Sequence, residues 1–564
     1  GGAPRVTSAR KHLLADWEGV AGACGKCVAG SGLSWFLVCS GRGPTAESMA
    51  DGGRGRFGER DAPSFVRDDF IVPDVVKTFV SYFYRHIREK NIFEIHSMYE
   101  TSFNKLSDRY FKQSPWPHWE AIAPLVDDDH VFLLLYKEMY YRHIYARLTP
   151  TLEQRCESWD NYCGLFQVFL TGNVNMQLPN QWLWDMIDEF VYQFQNFCQY
   201  RAKLKMKTEE EIAQLKDCDQ VWSALGVMNY LQAFIDTSDV GYVLDRESGM
   251  FEKFTETDGY YDLKGGSNVL RTLGYFSIIG LTRVHCLLGD YHGAMEAVEP
   301  IDMSTKGVYA CVVSCRISLF YYVGFCHMML RNYLEATRCF NKTLVYISRN
   351  KQALSMSLQY EQLMKKNEQL AALLAICQSL FPQTKVIDDN VQAMLKEKFG
   401  EKMQRLAKGD EGVFDEMFSY ACPKFILASV PAVEEGAQVA NYNQEAYRLQ
   451  LLMFLNEVKQ LFLLQNLRSY LKLYKNITLG KLADYLEADV QKVRSLLLTM
   501  KFYQKANYGE SSPVDELDFY IEGNMVTIIE QKRPKRFANF FINHISRCND
   551  AVAKLNKVKQ QSAP

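Results

Sequence analysis

The sequence predicts a mostly α-helical protein, a helical-repeat solenoid that ends in a winged-helix module and a C-terminal helix. Three observations support this fold class. Apolar residues recur at three- and four-residue spacing through most of the chain, which is typical of amphipathic helices. Only 16 prolines occur in 564 residues, which favours long helices. Two segments also repeat one another at a fixed offset, as stacked helical hairpins do.

Composition excludes several classes of protein. The 64 basic and 66 acidic residues give a net charge of −2, so the chain as a whole is not a histone-like binder. The 15 cysteines are scattered, and most of them fall in apolar helical patterns. Free thiols in a reducing compartment explain them, so we expect a cytoplasmic protein. No apolar stretch is long enough to span a membrane, so no membrane partner is expected.

Residues 1–63 differ from the rest of the chain. Thirteen of the 34 glycines lie within residues 1–58, and the segment has no helical or strand periodicity. We interpret it as a disordered leader. Met49 is a plausible true start, which would make residues 1–48 non-native sequence.

Residues 64–265 are predicted to form an N-terminal helical domain rich in aromatic residues. Residues 131–145 are apolar on nearly every side, which indicates a helix buried between neighbours. A stripe of Trp182, Met186, Phe190 and Phe194 predicts another helix. Such aromatics can stack on nucleic-acid bases, but at helical spacing core packing explains them better.

Residues 266–440 are predicted to form repeated helical hairpins similar to tetratricopeptide repeats. Tyr291 and Ala294 of the first segment correspond to Tyr333 and Ala336 of the second, at an offset of 42. Small residues such as Gly324 leave room where two helices cross. Because one hairpin cannot bury its own apolar face, stacked hairpins should form a solenoid, and such arrays usually bind proteins.

Residues 441–530 have the layout of a winged helix: a long helix, a short helix, a third helix and a hairpin. The hairpin is a strand over 517–522, a turn at Gly523-Asn524 and a second strand that begins at Met525. In DNA-binding winged helices the third helix enters a groove, and here Lys492 and Arg494 could contact phosphate. That helix offers few base-reading side chains, so we favour docking of a protein.

Residues 531–564 are predicted to form a basic amphipathic helix. Eight Lys or Arg residues follow Gln531, against one acidic residue, Asp550. The possible RNA contacts among them are Lys532, Arg533, Lys535 and Arg536. The opposite face is apolar and should either fold back or join a helical bundle; its candidate contacts are Phe537, Phe540, Phe541 and Ile545.

No catalytic or metal-binding motif is present. The zincin, P-loop and nucleophile-elbow patterns do not occur, and the histidines lack metal-ligand spacing. The sequence therefore predicts no enzyme, no cofactor and no small-molecule substrate.

Several strings carry a closer resemblance. Helical repeats that lead into a terminal winged helix resemble the PCI module of the proteasome lid, the COP9 signalosome and translation initiation factor 3. The sequence is similar to PCI-domain subunits of translation initiation factor 3 in particular. Residues 1–63 do not share this likeness. The strings that carry it are Leu134–Tyr145, Leu178–Phe190, Leu273–Ser277, Leu288–Tyr291 and Tyr420–Phe425.

The resemblance implies a non-catalytic scaffold subunit of the factor 3 complex. It implies assembly with other PCI/MPN subunits, especially the one called K, and support of the 43S/48S preinitiation complex on the small ribosomal subunit. Winged helices of such subunits pack edge to edge, and their terminal helices form a bundle. The second hairpin strand is therefore expected to be an intersubunit edge; its residues are Met525, Val526, Thr527, Ile528 and Ile529.

Two alternatives remain open at this point. One is a PCI scaffold of another assembly, of the proteasome-lid or COP9 signalosome type. The other is a protein that binds RNA directly through the winged helix and the basic tail.

Overall fold

The protein is built almost entirely of α-helices, with one small sheet near its C-terminus. The computed structural model describes residues 72–171, 175–246, 267–304, 307–355, 357, 359–382, 386–428, 444–508, 517–530, 541–542, 544–549 and 551–552. All of these belong to one compact unit, Asp69–Pro564, and the unit before it, Gly1–Asp68, lies outside the described residues. The predicted leader therefore stays a prediction.

The helices fall into two groups before the sheet begins. The first group, α1 to α10, comprises Asp74–Glu89, Ile92–Ser97, Phe103–Tyr110, Trp119–Ile122, His130–Arg147, Leu152–Leu170, Asn180–Arg201, Glu209–Asp217, Ala224–Ser238 and Val240–Arg246. The second group, α11 to α18, comprises Val269–Leu288, Tyr291–Val298, Val313–Met329, Tyr333–Arg349, Lys351–Leu354, Tyr360–Leu380, Asp389–Ala407 and Glu411–Ala421. The C-terminal elements are α19 (Glu445–Leu471), β1 (Asn476–Thr478), α20 (Leu479–Leu486), α21 (Val490–Tyr508), β2 (Leu517–Glu522) and β3 (Met525–Glu530).

Local sequence fixes many of the helix ends. Thr151 begins α6 with a capping box, in which its hydroxyl accepts from the Gln154 amide and the Gln154 side chain accepts from the Thr151 amide. Gly289 ends α11 in the left-handed conformation at φ +85°, which glycine adopts without steric cost. The Asp290 carboxylate then caps α12.

Aromatic side chains fill the core of the N-terminal helices. Trp182 is completely buried, and its ring stacks on Phe83 and Tyr99 at centroid distances of 5.4 and 4.9 Å. Phe190 and Phe194 are also completely buried. The stripe on α7 is therefore core packing rather than a base-stacking platform. Helix α5 is buried on most sides, as its sequence predicts.

A buried ion cluster connects α5 with α7. The Glu138 side chain has no exposed surface and accepts from the Trp182 indole at 3.2 Å and the Tyr162 hydroxyl at 3.3 Å. The Arg142 guanidinium forms an ion pair with it and lies 3.7 Å from the Asp185 carboxylate. A buried charge is tolerated only when it is paired in this way.

The predicted hairpins are present in the second group of helices. Helix α11 packs on α12, and α13 packs on α14. At the second crossing, a Cβ placed on Gly324 would lie 2.5 Å from the Phe340 ring, so only glycine allows this approach. Helix α11 also packs on α7 and α9, and one apolar core runs from Val72 to Val458. The predicted boundary at 265/266 therefore does not divide the core.

A second, smaller core holds the C-terminal elements together. It includes Leu464, Leu467 and Leu471 of α19, together with residues as far as Val526. Because α19 contributes side chains to both cores, this helix links them. The order of helices and hairpin is the one predicted, with Thr478 capping α20 and Asp489 at the start of α21. The short strand β1 was not predicted.

Candidate subunit interface

The small sheet positions the residues that the sequence singles out as an interface. Its strand order is β1-β3-β2, and all pairs are antiparallel. The β2–β3 turn is Gly523-Asn524, with Gly523 at φ +57°. On the inner side, Phe519 and Val526 pack into the second core. The C-terminal module, residues 445–530, thus presents one face of its sheet outward.

Strand β3 is not an edge, and the prediction that Met525–Ile529 forms one is wrong. Register pairs Met525, Val526 and Thr527 with Thr478, Ile477 and Asn476 of β1. The Ile528 amide also donates to the Lys475 carbonyl at 2.8 Å. On its other side β3 pairs with β2 along its whole length. The backbone groups of β3 are therefore used within the chain.

The side chains of β3 divide between the two faces of the sheet. Val526 has no exposed surface and Ile528 is partly buried against the second core. Met525 and Ile529 are 41% and 42% exposed. Only the alternate residues Met525, Thr527 and Ile529 are therefore placed to meet a partner, and they would do so through side chains.

Tyr520 of β2 extends this outer face. It is exposed and lies opposite Thr527 in the register, with Asp518 opposite Ile529 and Glu522 opposite Met525. These residues form an outer sheet face, defined here as Tyr520, Met525, Thr527 and Ile529. The acidic residues Asp518 and Glu522 lie on either side of Tyr520 along β2. Exposed apolar side chains in one contiguous patch are typical of interaction surfaces.

Helix α21 presents two exposed apolar side chains beside its polar ones. Leu498 and Phe502 are exposed and one helical turn apart, and Phe502 is 64% exposed. Of the two predicted phosphate contacts, Lys492 is exposed. The Arg494 guanidinium instead donates to the Gly523 carbonyl at 2.7 Å, which ties it to the hairpin turn.

The predicted tail helix is described only in part. Residues 541–542, 544–549 and 551–552 are helical, and all of these residues are exposed. Phe541 is 60% exposed and Ile545 59%. The remaining predicted tail residues lie outside the described residues: Lys532, Arg533, Lys535, Arg536, Phe537 and Phe540.

Sequence reasoning missed several exposed apolar residues of the C-terminal half. They are Leu449, Leu452 and Met453 on α19, Leu498 and Phe502 on α21, and Tyr520 on β2. A signal for some of them exists. Three consecutive leucines at 496–498 cannot all face one core from one helix. In β3, apolar residues occupy both odd and even positions, which indicates a strand that is covered on both faces.

The described residues also bear on metal binding and on membrane crossing. Among the described residues, no group of three or more His, Cys, Asp or Glu side chains is arranged to hold a metal ion. Within the described ranges, every helix falls short of the length and apolar character that crossing a membrane requires.

Comparison with known proteins decides the family. A model of the family described as RNA polymerase I-associated factor PAF67 matches residues 154–548. A protein of Nematostella vectensis named eukaryotic translation initiation factor 3 subunit L is 44% identical over 498 residues, 86% of this chain and 93% of that protein. This chain belongs to the subunit L family.

Other members of the subunit L family are nearly as similar. The proteins of that name from Xenopus tropicalis and Homo sapiens are 40% and 39% identical over 525 residues. Each alignment covers 87% of this chain and 92% of the relative. The likeness therefore includes both cores and the C-terminal module.

Proposed function

We propose that this chain is a non-catalytic scaffold subunit of translation initiation factor 3. The observation that carries the proposal is the likeness to proteins named subunit L, at 39% to 44% identity over most of both chains. On this proposal the chain acts in the cytoplasm. It assembles with other PCI/MPN subunits, especially the one called K, and supports the 43S/48S preinitiation complex on the small ribosomal subunit.

The C-terminal module and the tail that follows it supply the surfaces that this role needs. The outer sheet face, the Leu498–Phe502 surface of α21 and the exposed apolar residues Phe541 and Ile545 all lie on the outside of the chain. Apolar side chains that are exposed to water reduce solubility, and the free energy of the system falls when a partner covers them. We infer that other subunits cover them in the complex. Contact with RNA gains less support, because Arg494 is engaged at the hairpin turn.

The test is native mass spectrometry of tagged full-length protein purified from cells. The proposal expects co-purification with the other subunits of factor 3, and loss of that association when residues 531–564 are removed. Co-purification with subunits of the proteasome lid or the COP9 signalosome would replace the proposal with the other PCI scaffold. A free monomer that carries RNA would replace it with direct RNA binding.

RNA binding has its own discriminating measurement. Affinity that depends on several phosphate contacts falls steeply as salt concentration rises. Reversing the charges of Lys532, Arg533, Lys535 and Arg536 should then reduce the affinity strongly. Unchanged RNA affinity on reversing these four charges would remove direct RNA binding through the tail as the function.

A further inference from the structure

A polar groove lies among the repeat helices, away from the C-terminal module. It has a volume of about 390 Å³ and is lined by residues of α7, α11, α13 and α16 and by the segment 422–424. Sites that bind ligands are usually concave and of this size or larger. None of the residues that line the groove belongs to a surface used in the proposed function.

The groove is lined by both acidic and basic side chains. The Asp188 carboxylate forms an ion pair with Arg283, and Asp185 accepts from the Tyr99 hydroxyl at 2.8 Å and the Gln181 amide at 2.9 Å. These carboxylates therefore already have partners. Three further cations line the groove: Lys365, Lys366 and Lys424.

The three lysines have no carboxylate partner in the described part of the chain. The Lys366 ammonium lies 3.9 Å from the centre of the Tyr321 ring, which is a cation–π contact. Burial, and the neighbouring charges of Arg283, Lys424 and Lys365, lower the pKa of Lys366 to about 8, although the Asp188 carboxylate partly opposes them. An anion placed among these ammonium groups would relieve their mutual repulsion.

Two polar atoms at the groove, Arg283 Nε and Ser314 Oγ, have no hydrogen-bond partner among the described residues. Arg283 is 9% exposed, and the Ser314 hydroxyl is buried. Because unsatisfied buried donors are costly, such groups commonly mark a place where a ligand or water completes the hydrogen bonds.

The groove is also lined with side-chain amides that suit a peptide backbone. Two of them already donate to backbone carbonyls of this chain: the Gln195 amide donates to the Lys424 carbonyl at 2.8 Å, and the Gln369 amide donates to the Tyr420 carbonyl in the last turn of α18 at 3.1 Å. Gln199, Gln359 and Gln362 line the groove beside them. Amides both donate and accept, which matches the groups of an extended peptide.

We propose that this groove binds an extended peptide segment of a partner protein, with an acidic side chain held among Lys365, Lys366 and Lys424. The apolar floor, which includes Tyr321 and Leu363, packs against the rest of the segment. A nucleic-acid strand fits less well. Its repeated phosphates would also meet the carboxylates of Asp185 and Asp188, which line the same groove.

The test uses the full-length chain and two fluorescein-labelled peptides, Gly-Glu-Gly-Glu-Gly-Glu and the same peptide with Gln in place of Glu. Fluorescence anisotropy should show the acidic peptide binding at least about tenfold more tightly, since charge-assisted hydrogen bonds need the carboxylate. Lys424→Glu should weaken that binding by about tenfold or more, because it replaces an attraction with a repulsion. Lys366→Met should weaken it as well.

The matched control is Lys105→Glu, an exposed lysine of α3 that does not line the groove. It makes the same change in net charge and should leave the affinity unchanged. Lys424 is exposed, so its variant tests the groove even if Lys366→Met impairs folding.

Three results would overturn the proposal. Equal affinity for the two peptides, or no binding of either, would remove the acidic segment as the ligand. An equal loss of peptide affinity in Lys105→Glu and Lys424→Glu would show that net charge alone causes the effect. Displacement of the acidic peptide by a poly-uridine oligonucleotide, with the same variants weakening the RNA, would assign the groove to nucleic acid.

Discussion

At the scale of single residues, the contact between Gly324 and Phe340 explains how α13 and α14 approach so closely. A Cβ at position 324 would lie 2.5 Å from one ring carbon and 2.9 Å from another. The Phe340 ring has no exposed surface, so it cannot swing away into solvent. We expect Gly324→Ala to reduce the free energy of unfolding by about 1–3 kcal/mol, the usual cost of overpacking a core. Urea unfolding followed by circular dichroism measures it.

Gly400 supplies the matched control for that change. It also lies within a helix, α17, but a Cβ there would meet no atom within 4 Å. Gly400→Ala should therefore stabilise the chain by up to about 1 kcal/mol, through helix propensity alone. If both substitutions stabilise the protein, the close crossing does not depend on glycine.

Asp185 and Glu189 on α7 give the stability of the protein a dependence on pH. Burial raises the pKa of each carboxyl to about 7. A pKa that is raised in the folded state favours the protonated form there, so the stability it adds is present at low pH and is lost as pH rises toward 7. We expect the melting temperature of the wild type to fall between pH 5 and pH 7 more than that of a double variant, Asp185→Asn with Glu189→Gln.

Differential scanning fluorimetry across that pH range makes the comparison. Asp108→Asn is the control, because the Asp108 side chain is 62% exposed and pairs only at the surface with Arg147. Parallel profiles for wild type and the double variant would show that the two carboxyl groups do not titrate with folding.

Sequence could predict some of these residues and not others. Gly324, Ala336 and Phe340 fit the tetratricopeptide-like pattern of large, small and aromatic positions, which predicts that two helices cross closely there. Asp185 instead owes its environment to Tyr99, Arg142 and Gln181, which come from α2–α3, α5 and α7. No local sequence pattern predicts a cluster whose side chains come from separate helices.

At the scale of elements, we expect substitutions on the two faces of β3 to have opposite effects on folding. Val526→Asp places a charge in the second core, which costs several kcal/mol without a partner, so the C-terminal module should unfold. Ile529→Asp changes the outer sheet face and should leave the module folded. Limited proteolysis followed by mass spectrometry should show cleavage within residues 445–530 for Val526→Asp only.

Tryptophan fluorescence provides an internal control for this experiment. The six tryptophans of the described ranges, from Trp116 to Trp222, all lie in the first group of helices or in the connections between them. Their unfolding transition should therefore stay at the wild-type midpoint in Val526→Asp. A shift of that transition, or equal proteolysis of the two variants, would contradict the separation into two cores.

The hairpin was predictable and the rest of the sheet was not. Alternating apolar residues around Gly523-Asn524 are a strong local signal for two paired strands. Strand β1 is three residues long with one inward side chain, Ile477, and it exists only because β3 is beside it. Pairing of this kind is a tertiary effect, and it is the reason that the predicted edge turned out to be the central strand.

At the scale of the whole molecule, two cores share one long helix. The larger core runs from Val72 to Val458 and the smaller from Leu464 to Val526, and α19 contributes to both. Periodicity and the repeat predicted the helical solenoid and the terminal module. The groove among α7, α11, α13 and α16 escaped prediction, because its lining comes from segments up to about 240 residues apart.

The central claim is that the outward apolar surfaces of the C-terminal module, together with Phe541 and Ile545 of the tail, hold this chain in a translation initiation factor 3 complex. Its most direct test is the amount of other factor 3 subunits that co-purify with tagged full-length variants from cells. We predict that Ile529→Asp combined with Phe541→Asp and Ile545→Asp loses most of these subunits, whereas Lys105→Glu retains them all. Full recovery of the complex with the triple variant, at wild-type thermal stability, would contradict the account.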